Sequence, residues 1–257
     1  MNARMKVAAG LGLAACLLAG PAFAAPFRLD PGPGGLTLND LTGWVAKSSV
    51  PTLPAEHVFV GPLNMTVTDI ADNSSIQQTL FCTDIFHTFV AGGLYDMSTT
   101  SLTARLSGFG ASVAAVKVSQ IGALLANALP LTAPMGAAIQ AAIWEIENET
   151  GVTGYDVNLA ALTVSVDSDV AAFASFVQTY LANVSGTTGS DGIWQPAVGQ
   201  TVTEYVPQST ENQSFAFLGL TGGGNALPVP EPASLGVLGL GMIGLAAARR
   251  RRTNRQA

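Results

Sequence analysis

The sequence predicts an α+β fold, a mainly β scaffold of sandwich or barrel type with a helical subdomain that carries Gln140. Three observations predict it. Short apolar, β-branched runs separated by Pro, Gly and polar clusters occupy residues 36–90 and 201–220. Three segments of helical periodicity, 117–129, 134–149 and 167–184, lie between them. Both chain ends hold apolar stretches next to basic side chains, an N-terminal export signal and a C-terminal single apolar helix.

The elements follow in chain order. Arg4 and Lys6, an apolar stretch over 7–20 and the small-x-small triplet Ala22-Phe23-Ala24 make residues 1–24 a secretory signal peptide. Residues 13–16 also fit a lipoprotein box ending at Cys16, but its apolar region is unusually short, so cleavage after Ala24 is favoured. Pro and Gly punctuate 31–35 and 51–54, framing strands at 36–45, 58–60 and 65–70. Residues 78–90, QTLFCTDIFHTFV, read as a further strand with Leu80, Cys82 and Asp84 on one face and His87 on the other. In 117–129 the apolar residues Ile121, Leu124, Leu125 and Ala128 are helically spaced.

The helix at 134–149 is the central one. Pro134 suits a first turn, where its missing N–H costs nothing, and Gly151 suits a left-handed stop. Gln140 and Trp144 are four apart and share a face, beside an apolar stripe of Ile139, Ile143 and Ile146. Glu145, Glu147 and Glu149 crowd the C-terminal end, against the helix dipole. The ordinary reading of that trio is a solvated acidic face. A third helix, 167–184, carries Val170, Phe173, Phe176, Val177 and Leu181 on one side, and strands at 201–206 and 214–220 complete one domain over 25–226 without internal repeats.

Within that domain four basic side chains, Arg28, Lys47, Arg105 and Lys117, stand against sixteen acidic ones, a net charge of −12. Nucleic acid is thereby disfavoured as a partner, and amine-bearing or cationic ligands are attracted. A mature chain with Cys82 as its one cysteine closes no internal disulfide. Burial, dimerisation, catalysis, metal binding and capture in another covalent bond remain as its explanations. Zinc usually takes three or four protein ligands, and Cys82 with His57 and His87 does not supply a convincing set. Cys82, Asp84 and His87 on one short strand do not easily form a nucleophile, base and orienter, so a cysteine hydrolase is disfavoured. No metal or cofactor is expected.

The aromatic-Cys pair Phe81-Cys82 and the run Gln140-Ala141-Ala142-Ile143-Trp144 resemble bacterial surface thioester domains. The resemblance implies that the Cys82 thiol and Gln140 carboxamide condense with loss of ammonia into an internal thioester. Trp144 is then a candidate shield against water, and Asp84, His87 and Glu145 are the candidate proton acceptors, none assigned. A partner's amine, or less readily its hydroxyl, opens the bond once. The protein is accordingly expected to be a covalent binder and not an enzyme.

At the C-terminus Val229-Pro230-Glu231-Pro232 precedes an apolar segment, 233–248, followed by Arg249, Arg250, Arg251 and Arg252. Sixteen helical residues reach about 24 Å, a marginal span of a ~30 Å hydrocarbon core. The arginines favour the cytoplasmic side, leaving the domain outside the inner membrane. Residues 227–257 resemble the PEP-CTERM sorting signal, which implies recognition by an exosortase that cuts near residues 230–232. The expectation is an exported protein, transiently anchored through 233–248 and then carried to the cell surface or extracellular matrix. There it acts as an adhesin or crosslinker toward an amine- or hydroxyl-bearing partner. The alternative is a non-covalent structural or carbohydrate-interacting matrix protein in which Cys82 is buried and inert.

Overall fold

The computed structural model describes residues 26–33, 41–47, 56–85, 87–127, 132–155, 162–186 and 192–220. The signal peptide and the whole C-terminal signal, including Val229 to Pro232, 233–248 and the arginines, lie outside them. Nine strands and four α-helices are seen among the described residues. β1 (Phe27–Pro31), β4 (Leu63–Asp69), β5 (Ser75–Cys82), β9 (Phe215–Leu220), β8 (Gln200–Pro207) and β6 (Gly93–Ser98) form a closed antiparallel barrel in that order. A second antiparallel sheet has the order β3 (Glu56–Phe59), β2 (Thr42–Lys47), β7 (Leu162–Val166). The helices α1 (Ser101–Leu106), α2 (Ala111–Asn127), α3 (Ala133–Asn148) and α4 (Val170–Val184) sit between β6 and β8 in sequence. All belong to one compact unit, Ala25–Leu227.

Alternation makes the barrel. In β1, Phe27 and Leu29 are buried while Arg28 is exposed, as a strand with one wet face requires. Closure pairs Leu29 with Val67 on one side and with Gly93 on the other. Its interior is aromatic: Tyr205 stacks on Phe217 at 4.9 Å between ring centroids and meets Phe27 edge-on at 5.5 Å. The Tyr205 hydroxyl keeps a partner there, donating to Gln78 Oε1 at 3.1 Å.

β5 changes character along its length. Its first five residues alternate between exposed and half-buried, whereas Leu80, Phe81 and Cys82 are all buried. The strand thus runs from the solvated barrel wall into the core beneath the helices. It pairs with β9 only through Phe81 with Ala216 and Cys82 with Phe215. Beyond Cys82 the chain turns, so the strand expected over 78–90 stops eight residues early. The pairing with β9 fades at Cys82 and Thr83, and the run Cys-Thr-Asp turns to side-chain partners, Gln140, Glu204 and His87, which is why its β-like composition misleads.

α3 is buried at every position from Gly136 to Glu147, the property of a helix enclosed on all sides. Its small residues allow this: a Cβ on Gly136 would lie 2.6 Å from Pro62 Cδ. Pro134 occupies the first turn as expected. The C-terminal stop differs from expectation, because the cap is Glu149 in extended conformation and Gly151 is not among the positive-φ residues. α2 begins earlier than its apolar spacing predicts and ends at Asn127, and α4 follows Asp169, whose φ is +53°. β1, β6, β7 and α1 have no counterpart in the sequence reading. Each is five or six residues of mixed polarity, too short for periodicity to declare.

Candidate functional site

Cys82 and Gln140, 58 positions apart, meet at the junction of barrel and helices. The Cys82 backbone N–H donates to Gln140 Oε1 at 2.9 Å, and Gln140 Nε2 donates to the Cys82 carbonyl oxygen at 2.7 Å. Both polar ends of one carboxamide are therefore held by the main chain of one residue, at a place where Cys82 is 5 % and Gln140 0 % exposed. Burying an amide without partners costs roughly 2–7 kcal/mol, so the two-point contact strongly selects this orientation. β5 supplies the main chain of its last residue, and α3 supplies the carboxamide.

The sulfur sits in the turn that follows. Cys82 Sγ donates to the Asp84 carbonyl oxygen at 3.1 Å and receives the Asp84 backbone N–H at 3.4 Å. Burial pushes the thiol's pKa well above the ordinary range, reinforced by the nearby charges of Glu147 and Asp84. The thiol is thus protonated at neutral pH. The same turn joins Asp84 to His87, with Oδ2 and Nδ1 2.6 Å apart. Asp84 and His87 are consequently partners, not residues on opposite faces of a strand.

A cleft of about 310 Å³ reaches this point, lined among others by His57, Phe59, Leu63, Cys82, His87 and Trp144. Trp144 is 2 % exposed, one helical turn after Gln140, and its Nε1 has no partner at hydrogen-bonding distance. Its indole nonetheless acts weakly on the sulfur, lowering the thiol's pKa against the larger upward push of burial. His57 stands at the other side, with Nε2 2.7 Å from Asp167 Oδ2 and its ring against Trp44 at 4.9 Å.

Glu145 is fully buried and does not line the cleft; its charge acts on Lys117 and Tyr155. The acidic end of α3 is not the solvated face expected from sequence. Glu147 is 7 % exposed, and Arg105 of α1 bridges it at 3.0 Å to Glu204 of β8 at 2.8 Å. Glu204 also accepts from the hydroxyls of Ser101 and, at 2.6 Å, Thr83. Lys117 of α2, itself 0 % exposed, donates through Nζ to the carbonyl oxygens of Ile146 and Glu149. A cation on the last carbonyls offsets the dipole conflict that the acids create.

One guanidinium between two buried carboxylates leaves an excess negative charge. Burial pushes Glu147 up to about 8, with Glu204 and Asp84 adding to the rise and Arg105 opposing it. Lys117 is lowered to about 8 by burial, against the pull of Glu149, Glu147 and Glu145. Arg105, Lys117, Thr83 and Glu204 were not singled out by the sequence reading. The signal was present in charge arithmetic: all four of the domain's cations precede its densest acidic run, and Arg105 and Lys117 are the two nearest to it. Among the described residues no group of three or more His, Cys, Asp or Glu is arranged to hold a metal ion, and no helix is long and apolar enough to cross a membrane.

No curated protein matches the chain. Among solved structures it is similar to the N-terminal thioester domain of a surface protein from Clostridium perfringens, in a cysteine-to-alanine mutant. The identity is 11 %, over 70 % of this chain and 99 % of that one, with a TM-score of 0.42. It is also similar to the N-terminal domain of the Streptococcus pyogenes pilus tip adhesin Cpa, at 12 % identity over 72 % and 96 % with a TM-score of 0.43. The thioester domain of fibronectin-binding protein SfbI from Streptococcus pyogenes follows at 11 %, 72 % and 95 %, with 0.40. Residues 228–252 match the PEP-CTERM protein-sorting motif, so the barrel-and-helix domain is followed in this chain by a sorting signal.

Proposed function

We propose that this is an exported surface protein in which Cys82 and Gln140 condense into an internal thioester that captures a partner covalently. The observation that carries the reading is the two-point hold of the Gln140 carboxamide on the main chain of Cys82, a residue that lines a cleft. Sγ attacks Gln140 Cδ, the C–S bond forms as the C–N bond breaks, and the thiol proton leaves on nitrogen as ammonia. The Cys82 N–H already points at Oε1, the atom on which negative charge gathers during attack. Donors of this kind contribute about 3 kcal/mol to related acyl transfers.

Capture is the reverse exchange with another nucleophile. An amine forms an amide on residue 140 and returns Cys82 to the thiol; a hydroxyl forms an ester. Each molecule reacts once, so the protein is a binder and not an enzyme. An acidic surface favours amine-bearing partners such as lysine side chains. The sorting motif supports processing by an exosortase near residues 230–232 after anchoring through 233–248, and delivery to the surface or matrix.

The experiment is intact-mass measurement with thiol titration on the exported protein. The expected result is a mass short by one ammonia and no thiol open to alkylation. Both Cys82→Ala and Gln140→Ala abolish the deficit. Full alkylation of Cys82 at unaltered mass in freshly purified protein would sink the proposal and leave the non-covalent matrix reading, with its buried inert thiol. A mature chain still ending at Ala257 contradicts the processing.

A further inference from the structure

Aminolysis of a buried thioester needs a group that takes a proton from the incoming amine and gives one to the departing sulfur. Resting on the thioester reading above, we propose that His87, oriented by Asp84, is that group. Three observations carry it. His87 and Cys82 line the same cleft, so an amine that enters it meets the imidazole and the sulfur side of the Cys82–Gln140 pair together. His87 Nδ1 lies 2.6 Å from Asp84 Oδ2, a pairing that fixes the proton on Nδ1 and turns Nε2 into the basic nitrogen. Asp84 holds the sulfur as well, its carbonyl oxygen 3.1 Å and its backbone nitrogen 3.4 Å from Sγ, so one residue ties the imidazole and the leaving group into a single short turn.

The other cleft histidine is less suited. His57 is paired in the same way, Nε2 to Asp167, whose Oδ2 also accepts from Thr42 at 2.7 Å, but its ring lies tilted against Trp44, and it is Asp84, not Asp167, whose backbone holds the sulfur. Glu145 is enclosed on the Lys117 side of α3 and away from the cleft lining. His87 is 42 % exposed, which allows it to meet an entering amine.

The step balances without a co-reactant. The neutral amine attacks Gln140 Cδ; its surplus proton passes to His87 Nε2; the C–S bond breaks, and the same proton passes to Cys82 Sγ. The products are an amide at residue 140, a thiol at Cys82 and His87 as it began. Burial makes a bare thiolate costly at this place, and protonation during departure removes that cost.

The test uses the exported protein and methylamine, with labelling of residue 140 followed by intact mass. Absence of the ammonia deficit before amine is added overturns the underlying thioester reading, and is read first. Given the deficit, His87→Gln is expected to slow labelling about 100-fold, added imidazole to restore much of the rate, and Asp84→Asn to slow it about tenfold. His57→Gln is expected to react as the parent does. The chain has two histidines, so in His57→Gln the sole imidazole is His87. Ethoxyformylation of that protein after its thioester has formed should also suppress labelling, which covers the case in which His87→Gln does not assemble the bond. Unchanged rates in His87→Gln or after ethoxyformylation overturn the proposal. So does a slowed variant that imidazole fails to rescue, since that assigns His87 a structural part only.

Discussion

Replacing Glu147 by Gln probes how the acidic end of α3 is kept in the core. Glu147 is pushed up to about 8 from an ordinary value of 4.5, chiefly by burial. Between those limits the native state holds one more proton than the unfolded state, so stability falls as pH rises, at about 1.36 kcal/mol per pH unit. The contribution is fully present below the unfolded value and is lost as pH passes through the native one. Over the whole window the ceiling is about 5 kcal/mol, reduced to a few kcal/mol by relaxation and by Arg105, which is 39 % exposed and partly solvated. Glutamine mimics the protonated acid and still offers Arg105 an oxygen. Glu147→Gln should therefore match the parent within about 1 kcal/mol at pH 5 and exceed it by roughly 2 kcal/mol or more at pH 9. Lys117 acts in the opposite sense above about 8, and Glu147 is one of the charges that hold it up, so the substitution also lowers Lys117 and the difference at pH 9 reports the coupled pair. Urea unfolding of both proteins from pH 5 to 9 is the assay. Parallel pH profiles, or a variant less stable at pH 9, would refute the buried-proton account.

Trp144→Ala should cost about 3–5 kcal/mol of stability, since the side chain is fully enclosed, and should speed spontaneous hydrolysis of the internal bond to glutamate at residue 140. Denaturant midpoints read the first, intact mass over time the second, and equal hydrolysis rates would remove the indole from the shielding part alone. Gly43→Ala should destabilise by about 3 kcal/mol, because its Cβ would lie 1.9 Å from the Ser165 carbonyl oxygen and force β2 from β7. A shift of the urea midpoint at unchanged slope checks it, and a midpoint within error of the parent contradicts the close approach.

Much of the molecule was legible from local chemistry. The α3 helix announces itself through Pro134 and the Ile139, Ile143, Ile146 spacing, and α2 and α4 through theirs. The placing of Gln140 beside Trp144 follows from the helical repeat alone. The sorting signal is legible for the same reason: its apolar and arginine blocks are contiguous. Sequence also singled out Cys82, by elimination of a disulfide partner.

Tertiary structure decided the rest. A closed barrel joins β1 to both β4 and β6, and nothing within Phe27–Pro31 states which strands will flank it. The end of β5 at Cys82 depends on partners far along the chain: Gln140 on Cys82, Glu204 on Thr83, and the Ser214 carbonyl oxygen on the Thr83 N–H at 3.0 Å. Those contacts draw Asp84 and His87 into one turn, where alternation had set them on opposite faces. The acids of α3 reverse for a related reason. Periodicity reports which face of a helix is apolar, but whether a carboxylate is solvated or buried depends on where the cations lie, and Arg105 and Lys117 come from two other helices. Local sequence encodes repeat and propensity; desolvation and counter-ions are properties of the assembled neighbours, which is why Glu147 titrates as a core residue and not as part of a wet acidic face.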